Sequence, residues 1–130
     1  MGAGVRAVLD TSVVIAAGVD PLEGELAVSA VTLAELHFGV LVAGEQSVRA
    51  ERLRRLSVLQ RKFDALPMDD AVAASYGQLA AAVADAGRQP RARATDLLIA
   101  ATAHAHSARL YTRNAVDLVG VEQLVEVVAV

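Results

Sequence analysis

Acidic side chains carry the chemistry that this sequence predicts, and four of them share one pattern. They are Asp10, Glu35, Asp96 and Asp117. The first three lie in strongly apolar surroundings, and none of the four has a basic partner one turn away within its own predicted helix. Burying an unpaired carboxylate costs several kcal/mol. If the fold gathers these groups, their mutual repulsion raises their pKa values.

A divalent cation would remove both the burial cost and the repulsion. The chain contains no cysteine, so thiolate ligands are excluded and carboxylate oxygens are the available donors. Oxygen donors select hard ions such as Mg²⁺ or Mn²⁺. The four acids therefore predict a binding site for one of these ions.

Each acid also has a purely structural interpretation. Asp10 and Asp96 can cap the helices that follow them. Glu35 follows Thr32 at capping-box spacing, so its carboxylate can reach back to the Thr32 backbone if the helix begins there. Asp117 can be a plain turn residue. Each of these interpretations is credible alone, but four coincidences together are less so, which favours the metal site.

The first acid is positioned by the segment Val5–Ala17, which reads as a short buried strand followed directly by a helix. The apolar run before Asp10 has strand length, and Asp10, Thr11 and Ser12 are residue types that begin helices. Open α/β sheets bind their ligands at the carboxyl ends of their strands. Asp10 is therefore predicted at a ligand-binding position.

The rest of the chain alternates between strand-like and helix-like stretches. The strand-like stretches are 26–28, 65–68, 109–112 and 122–130, and the loops are 18–24, 88–95 and 113–117. The helices run from Ser29 or Thr32 to about Val42, from Ser47 to Phe63, from the capping pair Asp69-Asp70 to Gly87, and from Asp96 onward. This order predicts an α/β fold with a parallel sheet of four to five short strands and helices on both faces.

Glu35 belongs to a stripe of mostly apolar residues on the second predicted helix. If Ser29 caps this helix, the residues Val31, Glu35, Phe38 and Val42 recur at helical spacing along one side. The apolar members of this stripe predict a buried face, so Glu35 is expected to point inward and to need a partner.

Composition limits the classes of protein that the chain can belong to. Its 130 residues suit a single domain, 1–130, and 55% of them are hydrophobic. The absence of cysteine fits a reducing compartment. Neither a signal peptide nor a membrane span is predicted, so we expect a cytoplasmic protein without membrane contact. A net charge of −3 excludes a generic polyanion binder, so any nucleic-acid contact must come from local basic patches.

Two such patches are present. Arg88, Arg91 and Arg93 lie just before Asp96 and are candidates for contacts with nucleic-acid phosphates. The segment Arg49–Lys62 holds half of the basic residues, but a solvated helix face explains it at least as well. Aromatic residues make up only 3% of the chain, so base stacking contributes little to any nucleic-acid recognition, and the shape of the nucleic acid is the more plausible basis of specificity.

Four ordered motifs resemble those of the PIN-domain family, and the similarity is greatest to the VapC toxins of bacterial VapBC toxin–antitoxin modules. The motifs are Leu9-Asp10-Thr11-Ser12, Thr32–Leu36, Thr95–Ala103 and Thr112–Asp117. Each motif alone is weak, but the ordered set covers nearly the whole chain. One departure is Leu118, where an aromatic residue is common in the family.

The resemblance implies a Rossmann-like PIN domain with Mg²⁺- or Mn²⁺-dependent ribonuclease activity. It also implies a homodimer that a VapB-type antitoxin inhibits, with RNA as the substrate. The four acids occupy the family's acidic positions, and Asp10 and Asp96 are the best candidates for direct ligands. The supporting polar positions are matched by Thr11, Ser12, Thr112 and Asn114. The apolar sides of the helices over residues 30–42 and 47–63 are candidates for the dimer surface.

Three other functions are alternatives to a metal-dependent ribonuclease. A phosphoaspartyl enzyme normally needs a lysine near its phosphate, and Lys62, the only lysine, lies within a basic helix. A non-catalytic domain that keeps the fold and the metal site remains an alternative, as does a DNA-directed nuclease of similar fold. Metal-dependent turnover would distinguish a nuclease from a non-catalytic domain. A comparison of RNA with DNA as substrate would distinguish a ribonuclease from a DNA-directed nuclease.

Overall fold

The computed structural model describes residues 5–16 and 21–130, in which short strands alternate with helices. The strands are β1 (Arg6–Leu9), β2 (Glu25–Ser29), β3 (Ala65–Leu66), β4 (Arg109–Thr112) and β5 (Val127–Ala129). The α-helices are α1 (Thr11–Val14), α2 (Ala30–Leu41), α3 (Gln46–Lys62), α4 (Asp70–Asp85) and α5 (Ala94–Ala105). Two 3₁₀ turns, Pro90–Arg93 and Ala115–Leu118, lie before α5 and after β4.

The strands form one parallel sheet in the order β3-β2-β1-β4-β5. The chain builds outward from β1 to β3 and then crosses to β4, which pairs with the other side of β1. The strand order therefore reverses between β1 and β4, and such a switch point leaves a crevice at the carboxyl ends of the two strands. The predicted α/β architecture is confirmed.

Alternate residues of the central strands supply two apolar cores, one on each face of the sheet. Val8 and Leu110 pack with Leu79 and Leu97, which come from α4 and α5. Side chains of the opposite parity in β1 and β4, with Val13 of α1, form the second core. This alternation follows from the two-residue repeat of a strand. Helices consequently cover both faces and leave the sheet edge free for polar side chains.

Two predicted helix starts are confirmed by their caps. The Ser29 hydroxyl accepts a hydrogen bond from the Val31 amide at 3.1 Å, so α2 begins at Ala30 rather than after Thr32. The Asp69 carboxylate accepts one from the Val72 amide at 3.0 Å at the start of α4. Each side chain satisfies an amide that the first helical turn leaves without a partner.

Several predicted boundaries differ from the structure. Helix α5 begins at Ala94, two residues before Asp96, because the 3₁₀ turn that starts at Pro90 leads straight into it. A second 3₁₀ turn lies in the predicted polar loop, and β5 covers only the last part of the predicted strand 122–130. The end of the first segment at Ala17 and part of the predicted loop 18–24 lie outside the described residues.

The predicted buried stripe of α2 is wrong. Phe38 is 66% exposed, Val42 is 55% exposed, and Glu35 is exposed as well. The buried side chains of α2 are instead Thr32 and Val40. Helical spacing identifies residues that share a side, but the neighbouring elements decide which side is covered.

A membrane span was not expected from the sequence. Among the helices of the described residues, none combines the length and the apolar character needed to cross a bilayer.

Candidate active site

The structure brings the four predicted acids together at the carboxyl edge of the sheet. Asp10 directly follows β1, Glu35 lies on α2, Asp96 lies in the first turn of α5, and Asp117 lies in the 3₁₀ turn after β4. The carboxyl group of Asp96 is influenced by the charges of the other three. The acids therefore form one electrostatic cluster, beside the switch point between β1 and β4.

Asp10 is buried, and two hydroxyl groups hold its carboxylate. Oδ2 accepts a hydrogen bond from Ser12 Oγ at 2.6 Å and another from Thr112 Oγ1 at 3.0 Å. Asp10 occupies the N-cap position of α1, but its side chain makes no capping hydrogen bond. The interpretation of Asp10 as a simple cap is therefore wrong, since its carboxylate is instead held by hydroxyl groups of Ser12 and Thr112.

Thr112 links β4 to this carboxylate. Its side chain is fully buried, and its Oγ1 atom also accepts a hydrogen bond from the Asn114 amide at 3.0 Å. The exposed Asn114 thus contacts the site region through its backbone. The supporting role predicted for the Asn114 side chain stays a prediction.

Replacing Thr112 tests this link. We expect Thr112→Val to lower the free energy of unfolding by about 1–3 kcal/mol, because the buried Asp10 carboxylate and the Asn114 amide each lose a partner. Urea denaturation of the metal-free protein measures the change. Thr112→Ser, which keeps the hydroxyl, serves as the control, and equal stabilities of the two variants would contradict the role assigned to the hydroxyl.

Glu35 is held by a residue of another element. Its Oε1 atom accepts a hydrogen bond from Thr11 Oγ1 at 2.6 Å, and Thr11 Oγ1 lies 3.0 Å from the Oγ1 atom of the buried Thr32. Because α2 begins at Ala30, the capping-box interpretation of Glu35 is wrong. Sequence reasoning placed Glu35 near the other acids but missed the exposed position of its side chain and the Thr32 contact.

Asp96 is the acid whose protonation the site changes most clearly. The side chain is half-buried, and burial raises the pKa of its carboxyl group above the ordinary value. The negative charges of Asp10, Asp117 and Glu35 raise the pKa further, while Arg93 lowers it. Asp96 is the third residue of α5 rather than its cap. A positive charge at this position would therefore be stabilised.

Asp117 is paired with a cation. Its Oδ1 atom lies 3.3 Å from Nη2 of Arg93, the residue that immediately precedes α5. The Asp117 amide also donates to the Asn114 carbonyl at 3.0 Å, which places the residue in a turn. The turn interpretation of Asp117 is thus compatible with a place in the acid cluster.

The donor set of this cluster fits a hard divalent cation. All four side chains offer oxygen, and burial together with the charges of the other three acids raises the pKa of Asp96, so a cation beside it would be favourable. In residues 5–16 and 21–130, however, no three Asp, Glu or His side chains are arranged so that they already enclose an ion. Hydroxyl groups of Ser12, Thr112 and Thr11 hold Asp10 and Glu35, and Arg93 holds Asp117, so a bound cation would require the acids to move closer together.

The two basic patches differ in what they contact. Arg88 Nη1 lies 3.5 Å from the Val116 carbonyl, and Arg91 is exposed beside it. In α3, three arginines donate to backbone carbonyls near the ends of α1 and α2. These pairs are Arg49 to Ala43, Arg52 to Gly39 and Arg55 to Ile15, at 2.7 to 3.0 Å. Such carbonyls lack helical partners, so these arginines have a structural role that sequence reasoning missed.

A groove of about 1010 Å³ adjoins the acid cluster. Apolar side chains of α1, α2 and α3 line it, together with Arg52, Arg54, Arg55 and Lys62. Thr11 and Glu35 also belong to its wall. These two residues therefore connect the acid cluster with an apolar surface that carries basic side chains.

Comparison with known proteins gives consistent results in sequence and structure. The family model of the PIN domain matches residues 7–116, a range that includes Asp10, Glu35 and Asp96 and ends one residue before Asp117. Ribonuclease VapC8 of Mycobacterium tuberculosis is 39% identical over 99 residues, which are 73% of this chain and 88% of the relative. Ribonuclease VapC5 of the same organism is 38% identical over 113 residues, 82% of each chain.

A solved structure extends this similarity to three dimensions. The VapBC-5 toxin–antitoxin structure from Mycobacterium tuberculosis contains a chain that superposes with a TM-score of 0.81 at 36% identity, over 97% of this chain and 99% of that one. The family match spans most of the sequence, and the relatives are identical to it at more than a third of the aligned positions. The chain therefore belongs to the PIN-domain family and, within it, to the VapC-type proteins.

Proposed function

We propose that this chain is the toxin of a type II toxin–antitoxin module and acts in the cytoplasm as an endoribonuclease. The observation that carries the proposal is the cluster of four acids at the switch point of the sheet, where burial and the charges of the other three acids raise the pKa of Asp96. The relatives are named as VapC ribonucleases, which supports RNA as the substrate. The reaction is hydrolysis of a phosphodiester bond.

The proposed mechanism depends on a metal ion held by acidic side chains. Asp10, Glu35, Asp96 and Asp117 would hold Mg²⁺ or Mn²⁺, and the bound ion would supply activation of a water molecule and positive charge beside the phosphate. The hydroxyl groups of Ser12 and Thr112 orient the Asp10 carboxylate, and the Thr11 hydroxyl orients Glu35. Partners of this kind fix the direction of a ligand oxygen and so raise its affinity.

RNA must reach this site through positively charged surface. Arg88, Arg91 and Arg93 lie on the loop that leads into α5 and supply positive charge beside Asp96. We assign them contacts with RNA phosphates, as the sequence predicted. The arginines of α3 are less suited to this role, because three of them already donate to backbone carbonyls.

A VapB-type antitoxin and a second copy of this chain are the proposed protein partners. The VapBC-5 structure contains a chain similar to this one and belongs to a toxin–antitoxin system, which supports the antitoxin as a partner. Phe38 and Leu41 of α2 are 66% and 73% exposed, and Val42, which directly follows the helix, is 55% exposed. Neighbouring exposed apolar side chains are typical of protein interfaces. Light scattering of the purified protein tests the homodimer, and co-purification with its antitoxin tests the complex.

Cleavage of a mixed pool of structured RNAs tests the activity. We expect cleavage with Mg²⁺ or Mn²⁺, none with a chelator, and none of a single-stranded DNA of matched length. We expect this dependence on metal because the carboxylates of the cluster repel one another without a cation and because the proposed hydrolysis needs a metal ion. Cleavage that persists with chelator would contradict the metal-dependent mechanism, and preferential cleavage of DNA would favour a DNA-directed nuclease. Metal binding without turnover on any RNA would favour a non-catalytic domain.

A further inference from the structure

One ion pair joins the acid cluster to the loop before α5. Arg93 Nη2 lies 3.3 Å from Asp117 Oδ1, and the two side chains are 44% and 31% exposed. Among the ion pairs of the described residues, this is the one that includes any of the four clustered acids. The pair also joins the two 3₁₀ turns, Pro90–Arg93 and Ala115–Leu118.

Arg93 acts on more than its immediate partner. Arg93 directly precedes α5, and Asp96 lies in the first turn of that helix, so the guanidinium charge lies close to a second acid of the cluster. Two carboxylates of the cluster therefore gain stability from one guanidinium group. In a metal-free protein this group offsets part of the repulsion that the acids impose on one another.

The other acids have partners of a different kind. Asp10 accepts hydrogen bonds from Ser12 and Thr112, and Glu35 accepts one from Thr11. A neutral hydroxyl can stay bonded to a carboxylate while that carboxylate also contacts a cation. A guanidinium group repels a divalent cation, so Arg93 and a metal ion compete for the same negative charge.

We propose that Arg93 is the internal counter-ion of the metal-free site: it occupies Asp117 and gives up this carboxylate when a divalent cation binds. Arg93 is thus a positioning residue that sets the affinity for metal. The inference rests on the proposed metal-dependent function. It implies that Arg93 lowers the affinity for metal and stabilises the metal-free protein.

Isothermal titration of the purified protein with Mn²⁺ tests this role without any activity assay. We expect Arg93→Gln to tighten Mn²⁺ binding by about 5- to 10-fold, because the competing charge is removed. Arg91→Gln makes the same change of charge two residues away at an exposed position and should change affinity by less than about 2-fold, because solvent screens it. Arg93→Lys keeps the positive charge and should restore most of the wild-type affinity.

A double-mutant cycle identifies the partner of Arg93. In an Asp117→Asn background, the effect of Arg93→Gln on Mn²⁺ affinity should shrink to about 2-fold, since the ion pair is already broken. The melting temperature without metal should fall in Arg93→Gln and not in Arg91→Gln.

The outcomes distinguish a failure of the role assigned to Arg93 from a failure of metal binding itself. Equal Mn²⁺ affinities of Arg93→Gln and Arg91→Gln would overturn the role of Arg93 while leaving the metal site in place. An undiminished effect of Arg93→Gln in the Asp117→Asn background would overturn Asp117 as its partner. Failure of the wild-type protein to bind Mn²⁺ would overturn the metal-dependent function itself, and this inference with it.

Discussion

Asp96→Asn is expected to abolish RNA cleavage and, in the absence of metal, to raise the melting temperature at pH 7 by about 2–5 °C. Cleavage is lost because a proposed metal ligand loses its charge. Stability rises because the negative charge of Asp96 is unfavourable where it lies: burial and three neighbouring acids raise the pKa of its carboxyl group, and only Arg93 opposes them. Neutral asparagine has nearly the same shape and avoids this penalty.

The pH dependence of this gain follows from the direction of the pKa shift. An acid whose pKa is raised by folding binds its proton more tightly in the folded state than in the unfolded state. Its stabilising contribution is therefore present at low pH and is lost as the pH rises through the raised pKa. The difference between Asp96→Asn and wild type should be small below about pH 4, the pKa of an unfolded aspartate, and should grow above it.

Thermal melting with chelator, from pH 4 to pH 8, measures this difference. Asp64→Asn is the matched control, because Asp64 is exposed and precedes β3 at the opposite edge of the sheet. That variant should show neither the gain in stability nor the loss of cleavage. A melting temperature of metal-free Asp96→Asn below that of wild type across the pH range would contradict the repulsive cluster.

Asp10→Ala is expected to abolish cleavage as well, but with the opposite effect on stability. Its carboxylate is buried and accepts hydrogen bonds from Ser12 and Thr112, and alanine leaves both hydroxyl groups without this acceptor. Hydrogen bonds to a charged group contribute about 1.5–3 kcal/mol each, which outweighs the relief of repulsion within the cluster. We expect the free energy of unfolding to fall by about 1–3 kcal/mol.

Urea denaturation of the metal-free protein tests this prediction. Asp10→Asn is the control, since an amide oxygen can still accept both hydrogen bonds while the charge is lost. This variant should be inactive but more stable than Asp10→Ala. An alanine variant as stable as the wild-type protein would show that the two hydroxyl groups find other partners and that Asp10 is not held as described.

Local sequence patterns predicted the parts of this fold that depend on neighbouring residues. An apolar run followed by Asp10, Thr11 and Ser12 predicted the turn from β1 into α1, and Ser29 was one of the two predicted caps of α2. Such patterns succeed because strand length, capping and alternation are settled within a few residues. The alternation of strands with helices then predicted the parallel sheet, which the structure confirms.

The acids themselves were readable from sequence because an unpaired carboxylate in apolar surroundings is costly wherever it lies. Asp10 was predicted at the carboxyl end of a strand, where open sheets bind ligands, but the grouping of all four acids was only a condition of the hypothesis. The structure places Glu35 and Asp96 on helices that reach the same edge. The catalytic and metal-binding roles of the acids stay predictions that the variants above test. The resemblance to the PIN-domain family identified the same four positions, and the family is confirmed.

Contacts between distant segments were decided by the tertiary structure alone. Helical spacing placed Glu35 and Phe38 on one side of α2, but the packing of the neighbouring elements left that side exposed. The basic residues of α3 were interpreted as either a nucleic-acid surface or a solvated helix face. Three of the arginines instead donate to carbonyls near the ends of α1 and α2. The pair Arg93–Asp117 forms only because the switch point brings two loops together. A side chain's partner depends on which surfaces meet in space, and a local pattern carries no information about that.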